Sequence, residues 1–420
     1  MSEADASLSG PRGTKVSSAV VLFASFAFAY FLSALLRAVT ATLAPVLSAE
    51  LGISSAELGL LAGAYFLGFA TMQLPLGRAL DRFGPRSVLV GFLTVAVLAC
   101  IAFALARSFG ALLAARALIG VGVSACLMAP LTAYRLRFSA AAQLRANSWM
   151  LMTGSLGMLA STLPVQWLLP LLGWRGLFWL AAALLAVAVL LIWWSVPRDV
   201  APDNGVSGKA AIGIRYRDIF RHDHVVRLVP LAFVVYGGLV AVQSLWAGPW
   251  LTDVAGLDAV GAARGLFAIN LTMLAAFFGW GMAMPRFAKW GWNADRLILW
   301  GVPLSLVLLF AAVALGPDAG AAMWAAWCVS CTCISLSQPA VAMSFPTAAA
   351  GRVLSAYNLV IFLGVFCVQW GIGLILDALS AMGWPRVAAF QAAFALFAVA
   401  CALAYAWFVW RSRRYPQQAG

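Results

Sequence analysis

Apolar residues fall into twelve runs, near 17–46, 55–77, 87–106, 111–134, 147–171 and 174–196, then 227–250, 262–284, 297–316, 320–345, 353–378 and 387–410. A bilayer core about 30 Å thick needs roughly 20 such residues in a helix, so each run has the length of one crossing. Six runs lie on either side of the one long polar stretch, 197–226, which holds Arg198, Asp199, Asp203, Lys209, Arg215, Arg217, Arg221 and both histidines, His222 and His224. The pattern predicts an all-α membrane protein of twelve transmembrane helices. Its parts are a tail (1–16), a six-helix bundle (17–196), a linker (197–226), a second six-helix bundle (227–410) and a short tail (411–420).

Composition strengthens this reading. Of the residues, 64% are apolar and 10% charged, and the mean hydropathy is +0.95. A soluble domain is about 45–50% apolar, so this chain has too little polar surface to cover itself in water. A soluble enzyme, a nucleic-acid-binding domain and a disordered chain are excluded. Residues 1–18 are polar and contain Glu3 and Asp5, unlike the basic start of a cleaved signal peptide, so the first run is expected to be retained.

The net charge of +13 is a topology signal. With the N-terminus in the cytoplasm, 21 of the 27 Lys and Arg residues fall on cytoplasmic segments, leaving Arg37, Arg107, Arg116, Arg175, Arg264 and Arg386. That asymmetry places both termini and the linker inside a cytoplasmic, inner membrane. The basic ends then meet anionic lipid and not nucleic acid. The seven cysteines all lie within apolar runs and read as buried small hydrophobes. Cys328, Cys331 and Cys333, with Met282 and Met284, could ligate a soft metal, but both histidines sit in the linker; packing is the expectation, with no metal and no cofactor.

The halves echo each other. Ala44-Pro45-Val46-Leu47-Ser48-Ala49-Glu50 with Gly52 parallels Gly248-Pro249-Trp250-Leu251-Thr252-Asp253 with Gly256 at an offset of 204. Gly77 and Gly281 share that offset, and Phe138, Ala140 to Ala142 and Arg145 match Phe345, Ala348 to Ala350 and Arg352 at about 207. A duplicated six-helix unit makes the two bundles pseudo-symmetric and puts a substrate at the midplane between them.

The loop after the second helix reads Gly77-Arg78-Ala79-Leu80-Asp81-Arg82-Phe83-Gly84-Pro85-Arg86. Its spacing resembles the signature loop of the major facilitator superfamily, G-x-[LA]-x-D-R-x-G-x-R. Arg116-Ala117-Leu118-Ile119-Gly120-Val121-Gly122 resembles a second motif of that family, R-x-x-x-G-x-G. The resemblance spans the whole chain and implies the twelve-helix fold and transport by alternating access. It also implies a conformational latch built from Gly77, Asp81, Arg82, Gly84, Arg86, Arg116 and Arg352, with Asp81 close to Arg352 at the start of the eleventh helix. The second-half loop has Pro285-Arg286 where Asp-Arg would stand, and the fifth helix, with Gly154 and Gly157, lacks the G-P-x-x-G-G run of the drug:proton antiporters.

An ionisable residue inside a spanning helix costs several kcal/mol, about 2.5–3.5 by insertion scales, and marks function by default. Arg37 lies deepest, Arg116 nearer a helix end, and all fourteen acids sit at ends or in loops. An arginine without a carboxylate suits an anion, because the planar guanidinium grips carboxylate or phosphate. Alternatively Arg37 snorkels to the interface. Its place eight residues before Pro45 resembles organophosphate:phosphate antiporters and organic-anion symporters of the superfamily, where that arginine binds the anion. The second arginine of the phosphate type is replaced in the seventh helix by Tyr236, Gln243, Ser244 and Trp246, which favours a monoanion. The nitrate pattern is missing as well, since Arg78 and Arg264 are terminal.

Tyr30, Ser33 and Arg37 share one face of the first helix, and Tyr65, Gln243 and Asn358 are the additions expected from the second, seventh and eleventh. The remaining span polars, Thr40, Gln73, Asn147, Asn270, Gln338 and Gln369, read as helix–helix hydrogen bonds. The expected function is secondary transport of a small organic anion, coupled to a proton or an exchanged anion, by a monomer. The alternative is efflux of amphiphilic or drug-like compounds. A membrane enzyme would need acids or histidines clustered at one depth, and a sensor an appended domain; neither is present.

Overall fold

The computed structural model describes residues 12–197, 215–346 and 349–414, and it is helical with no strand among them. Among the described residues, ten helices are long and apolar enough to cross a membrane. Two of these, Gln73–Leu105 and Leu163–Ser195, bend sharply at Gly84 and Gly173, so each is the end of one crossing and the whole of the next. With the shorter helices Ser55–Thr71 and Ala140–Ala160 they supply the twelve crossings that the pattern predicts.

In chain order these are α1 (Arg12–Leu51), α2 (Ser55–Thr71, continued from Gln73 to the bend), α3 (85–105) and α4 (Phe109–Val123 with Ala125–Arg137). Then come α5 (Ala140–Ala160, continued to 172), α6 (174–195), α7 (Asp223–Val254) and α8 (Ala259–Lys289). The last are α9 (Ala294–Leu315), α10 (Ala321–Cys331 with Ser337–Met343), α11 (Ala350–Ala381) and α12 (Arg386–Arg414). Boundaries differ from expectation where charge was read as loop. α1 begins at Arg12, α7 begins at Asp223 behind a short helix Tyr216–Arg221, and α12 runs on to Arg414. Most of the linker, 198–214, lies outside the described residues.

The duplication is visible in the backbone. Gly52 and Gly256, Gly84 and Gly291, and Gly173 and Gly383 are pairs at nearly one spacing, and all six have positive φ, between 62° and 81°. Each turns the chain between successive helices, a conformation that a Cβ disfavours. The helix ends repeat too. Glu50 at the end of α1 pairs with Arg175 at the start of α6, and Asp253 at the end of α7 pairs with Arg386 at the start of α12.

Each half has its own hydrophobic core, and the two meet along α1, α2, α7 and α11. Glycines set how closely. A Cβ on Gly59 would lie 2.3 Å from the Gln369 carbonyl oxygen, and one on Gly248 would lie 2.5 Å from that of Ala41. α7 alternates α and π turns, with π segments at Leu231–Tyr236, Val242–Trp246 and Trp250–Val254. Six cysteines are buried as expected, but Cys367 is exposed, because it falls on the outer face of α11.

Candidate functional site

Arg37 lies on α1 where the halves meet. Its guanidinium carbon sits 5.7 Å from the centre of the Phe69 ring on α2. Tyr65, Tyr30, Tyr236 and Cys126 are the ionisable groups around it among the described residues, and no carboxylate is among them. Its Nε is buried and has no hydrogen-bond partner. Three helices build this ring: α1 gives Tyr30 and Arg37, α2 gives Tyr65 and Phe69 one turn apart, and α7 gives Tyr236. The Tyr65 hydroxyl donates to the Ser33 carbonyl at 3.1 Å, while the Ser33 Oγ is buried without a partner. Tyr30 is held against α5, where a Cβ on Gly154 would lie 2.5 Å from its ring.

Such a guanidinium is dehydrated on the aromatic side and has donors to spare. Cation–π contact with Phe69 contributes about 0.5–2 kcal/mol, well short of the several kcal/mol that hydration or a bound anion supplies to a charge. The tyrosine hydroxyls can donate to an anion held by Arg37 or accept from it.

Arg116, grouped with the latch by its motif, lies beside this cluster. α4 starts at Phe109, so Arg116 stands two turns inside the helix and is 1% exposed. Its Nη2 donates to the Leu36 carbonyl at 2.9 Å and to the Thr40 hydroxyl at 2.7 Å, and its guanidinium lies 5.1 Å from the Tyr65 ring centre. The glycines of its motif serve packing: a Cβ on Gly120 would lie 2.0 Å from the Tyr65 carbonyl oxygen, and one on Gly122 would strike Ala96. Arg37 and Arg116 thus flank one tyrosine.

Gln243 and Asn358 are committed elsewhere. Gln243 donates to Asn270 at 2.9 Å between α7 and α8, and Gln338 donates to Asn358 between α10 and α11. Each pair is one hydrogen bond between neighbouring helices, and Asn270 spends its own donor on the Leu266 carbonyl. Phe69 and Tyr236 join Arg37 in the cluster. Phe69 was detectable from its i+4 spacing to Tyr65; Tyr236 was named in the seventh helix where a second arginine was absent, without a role in the site.

In the loop 77–86, Gly84 makes the turn with φ +74°, whereas Gly77 has open space around it. Arg86 stacks on Trp193 at 4.7 Å and donates to its carbonyl, and Arg82 lies over Phe83. Asp81 is exposed and makes no hydrogen bond or ion pair among the described residues, so the expected approach to Arg352 is not made in this structure. At the opposite end the halves are joined. Asp377 accepts the backbone N–H groups of Ser55 and Ala56, and Arg386 bridges Asp253 and the Ser55 hydroxyl. Those residues were not anticipated.

Comparisons agree with this architecture. Residues 26–368 match the model of the Major Facilitator Superfamily. A hexuronate transporter of Escherichia coli (strain K12) is 30% identical over 39% of this chain and 39% of its own. The multidrug resistance protein MdtL of Escherichia coli (strain K12 / DH10B) is 28% identical over 38% and 40%. The chain therefore spans about two fifths of the length of these two relatives. A bacterial homolog of the human lysosomal transporter Spinster, solved in an inward-facing and unoccupied conformation, superposes with a TM-score of 0.71 at 18% identity, covering 96% of this chain and 98% of that one. With twelve crossings, a duplicated half and a family match over most of its length, the chain belongs to the major facilitator superfamily.

Proposed function

We propose that this transporter moves a small organic anion across the cytoplasmic membrane by alternating access, with both termini in the cytoplasm and Arg37 holding the carboxylate. One observation carries the reading: a guanidinium between the halves with an unpartnered buried Nε, three tyrosines close by and no carboxylate among the ionisable groups around it. A carboxylate arriving there supplies the missing counter-charge, and charge-assisted hydrogen bonds of this kind are about twice as strong as neutral ones. Tyr236 stands on α7 where a second cation would favour a dianion. The likeness to a hexuronate transporter is consistent with this substrate class.

The two ends of the molecule supply the alternation. Bonds from Asp377 and Arg386 close the end away from the basic residues, while Asp81 at the basic end is released. Asp81 approaching the start of α11, where a helix N-terminus and Arg352 favour negative charge, would close that end as the other opens. Either a coupled proton or an exchanged anion drives the cycle.

The test is a thermal-shift series on the purified protein with glucuronate, benzoate, a sugar phosphate and a cationic amphiphile. Stabilisation by carboxylates, lost in Arg37→Lys, is the expected result. Stabilisation by the cationic amphiphile alone would replace this reading with efflux, which the likeness to MdtL supports.

A further inference from the structure

The basic end of α12 carries a feature that transport does not use. Leu403, Ala406, Trp407 and Trp410 form an open, nearly flat apolar strip on its outer face, at the i, i+3, i+4, i+7 spacing of one helix face. The strip ends in aromatics and cations stacked on each other. Trp407 and Trp410 have ring centres 5.3 Å apart, Arg411 lies 5.4 Å from the centre of Trp407, and Arg414 lies 4.4 Å from that of Trp410. The Trp407 Nε1 donates to the Val226 carbonyl on α7 at 3.2 Å, which fixes the ring at the strip.

Charge at this corner is one-sided. Arg411, Arg413 and Arg414 occupy the last turn, and the carboxylate paired there is Asp223, 3.8 Å from Arg411. Arg413 and Arg414 are exposed and meet no carboxylate among the described residues. An apolar strip that ends in guanidiniums held on indole rings complements a molecule with a hydrocarbon tail and an anionic head. Tryptophan at the interface and arginine just beyond it are the residue types that meet the acyl boundary and the phosphate of a lipid.

We propose that this face of α12 binds one anionic phospholipid from the leaflet that the basic helix ends face. An acyl chain lies along Leu403, Ala406, Trp407 and Trp410, and the phosphate is held by Arg411 and Arg414. A zwitterionic lipid of the same chain length can cover the strip but leaves the guanidiniums without net counter-charge. Each basic residue near a membrane surface contributes about 1 kcal/mol, or about fivefold in affinity.

Native mass spectrometry of the full chain, titrated with phosphatidylglycerol or phosphatidylcholine of matched chains, tests this. One phosphatidylglycerol per protein should be retained in preference to phosphatidylcholine. Arg414→Gln should weaken retention about fivefold, and Arg414→Gln combined with Arg411→Gln about twenty-five-fold. Trp410→Ala should weaken both lipids. Arg296→Gln, at the basic end of α9, is the control for diffuse surface charge and should change nothing. Equal retention of the two lipids, indifference to Arg414→Gln, or an equal loss in Arg296→Gln would each overturn the proposal. Arg414 makes no hydrogen bond or ion pair among the described residues, so the single variant keeps the test decisive if the double variant folds poorly.

Discussion

Asp377 on α11 caps a helix of the other half: its two carboxylate oxygens accept the backbone N–H groups of Ser55 at 2.9 Å and Ala56 at 2.8 Å. A helix N-terminus leaves its first donors unpaired and carries partial positive charge, so a carboxylate is the best available cap. α2 is already closed on its own side by the reciprocal hydrogen bonds of Ser54 and Glu57. The bond from Asp377 therefore adds attachment between the halves to a helix that is stable without it.

Opening of this end must break that attachment. Asp377→Asn removes the charge and one acceptor, and a hydrogen bond to a charged group contributes about 1.5–3 kcal/mol. The variant should shift the equilibrium toward separation of this end by about tenfold or more. Spin labels at positions 172 and 257, which are exposed at this end on opposite halves, report it as a longer distance population. An unchanged distribution would show that the bond is incidental to gating.

Close packing of α2 on α11 makes a second, steric prediction. Gly59→Ala places a methyl 2.3 Å from the Gln369 carbonyl oxygen, a backbone atom that cannot move aside. The helices must part, so uptake should fall at least tenfold while the protein still inserts. Gly279→Ala is the control, since nothing lies within 4 Å of its Cβ; it should transport normally. Equal activity of the two variants would contradict a tight α2–α11 seal.

At the basic end of α7, Asp295 accepts from Arg227 and pairs with His224 at 3.1 Å, and His224 also meets Ser344. The side chains of Arg227 and Asp295 are 8% and 16% exposed. Removing one partner of a buried pair costs about 3–5 kcal/mol because the other charge is stranded. Asp295→Asn should lower the unfolding temperature by several degrees, whereas Asp258→Asn, at an exposed helix end, should not. Equal melting of the two would mean that the cluster contributes no stability.

Crossings were legible because a bilayer imposes its thickness on each helix, and the glycine turns at 52 and 256 were legible as a repeat. The partner turns at 84 and 291 were hidden, since only the backbone conformation repeats there and the surrounding residues differ. Helical spacing put Tyr30, Ser33 and Arg37 on one face, and Tyr65 was named as a polar residue of the second helix; the structure brings the four side by side. Tyr236 was not assigned a role, because which face of α7 meets α1 depends on its π turns. Asp377 and Arg386 looked like solvated helix ends, and sequence alone does not distinguish a carboxylate in water from one that reaches across to another helix. The contacts of Arg116 with Leu36, Thr40 and Tyr65 were not legible, because sequence does not show which face of α4 meets α1 and α2.

Arg37 decides the functional account. A buried charge-assisted partner contributes about 2–5 kcal/mol to binding, against less than about 1 kcal/mol for an exposed ion pair. Lysine keeps the charge but lacks the planar fork, and both side chains can reach an interface. The direct measurement is binding of a carboxylate such as glucuronate or benzoate to wild type, Arg37→Lys and Arg37→Ala by calorimetry, with unfolding temperature recorded alongside. The account predicts affinity at least thirtyfold weaker in Arg37→Lys, and none detectable in Arg37→Ala, with the fold retained. Carboxylate binding indifferent to both substitutions would contradict it.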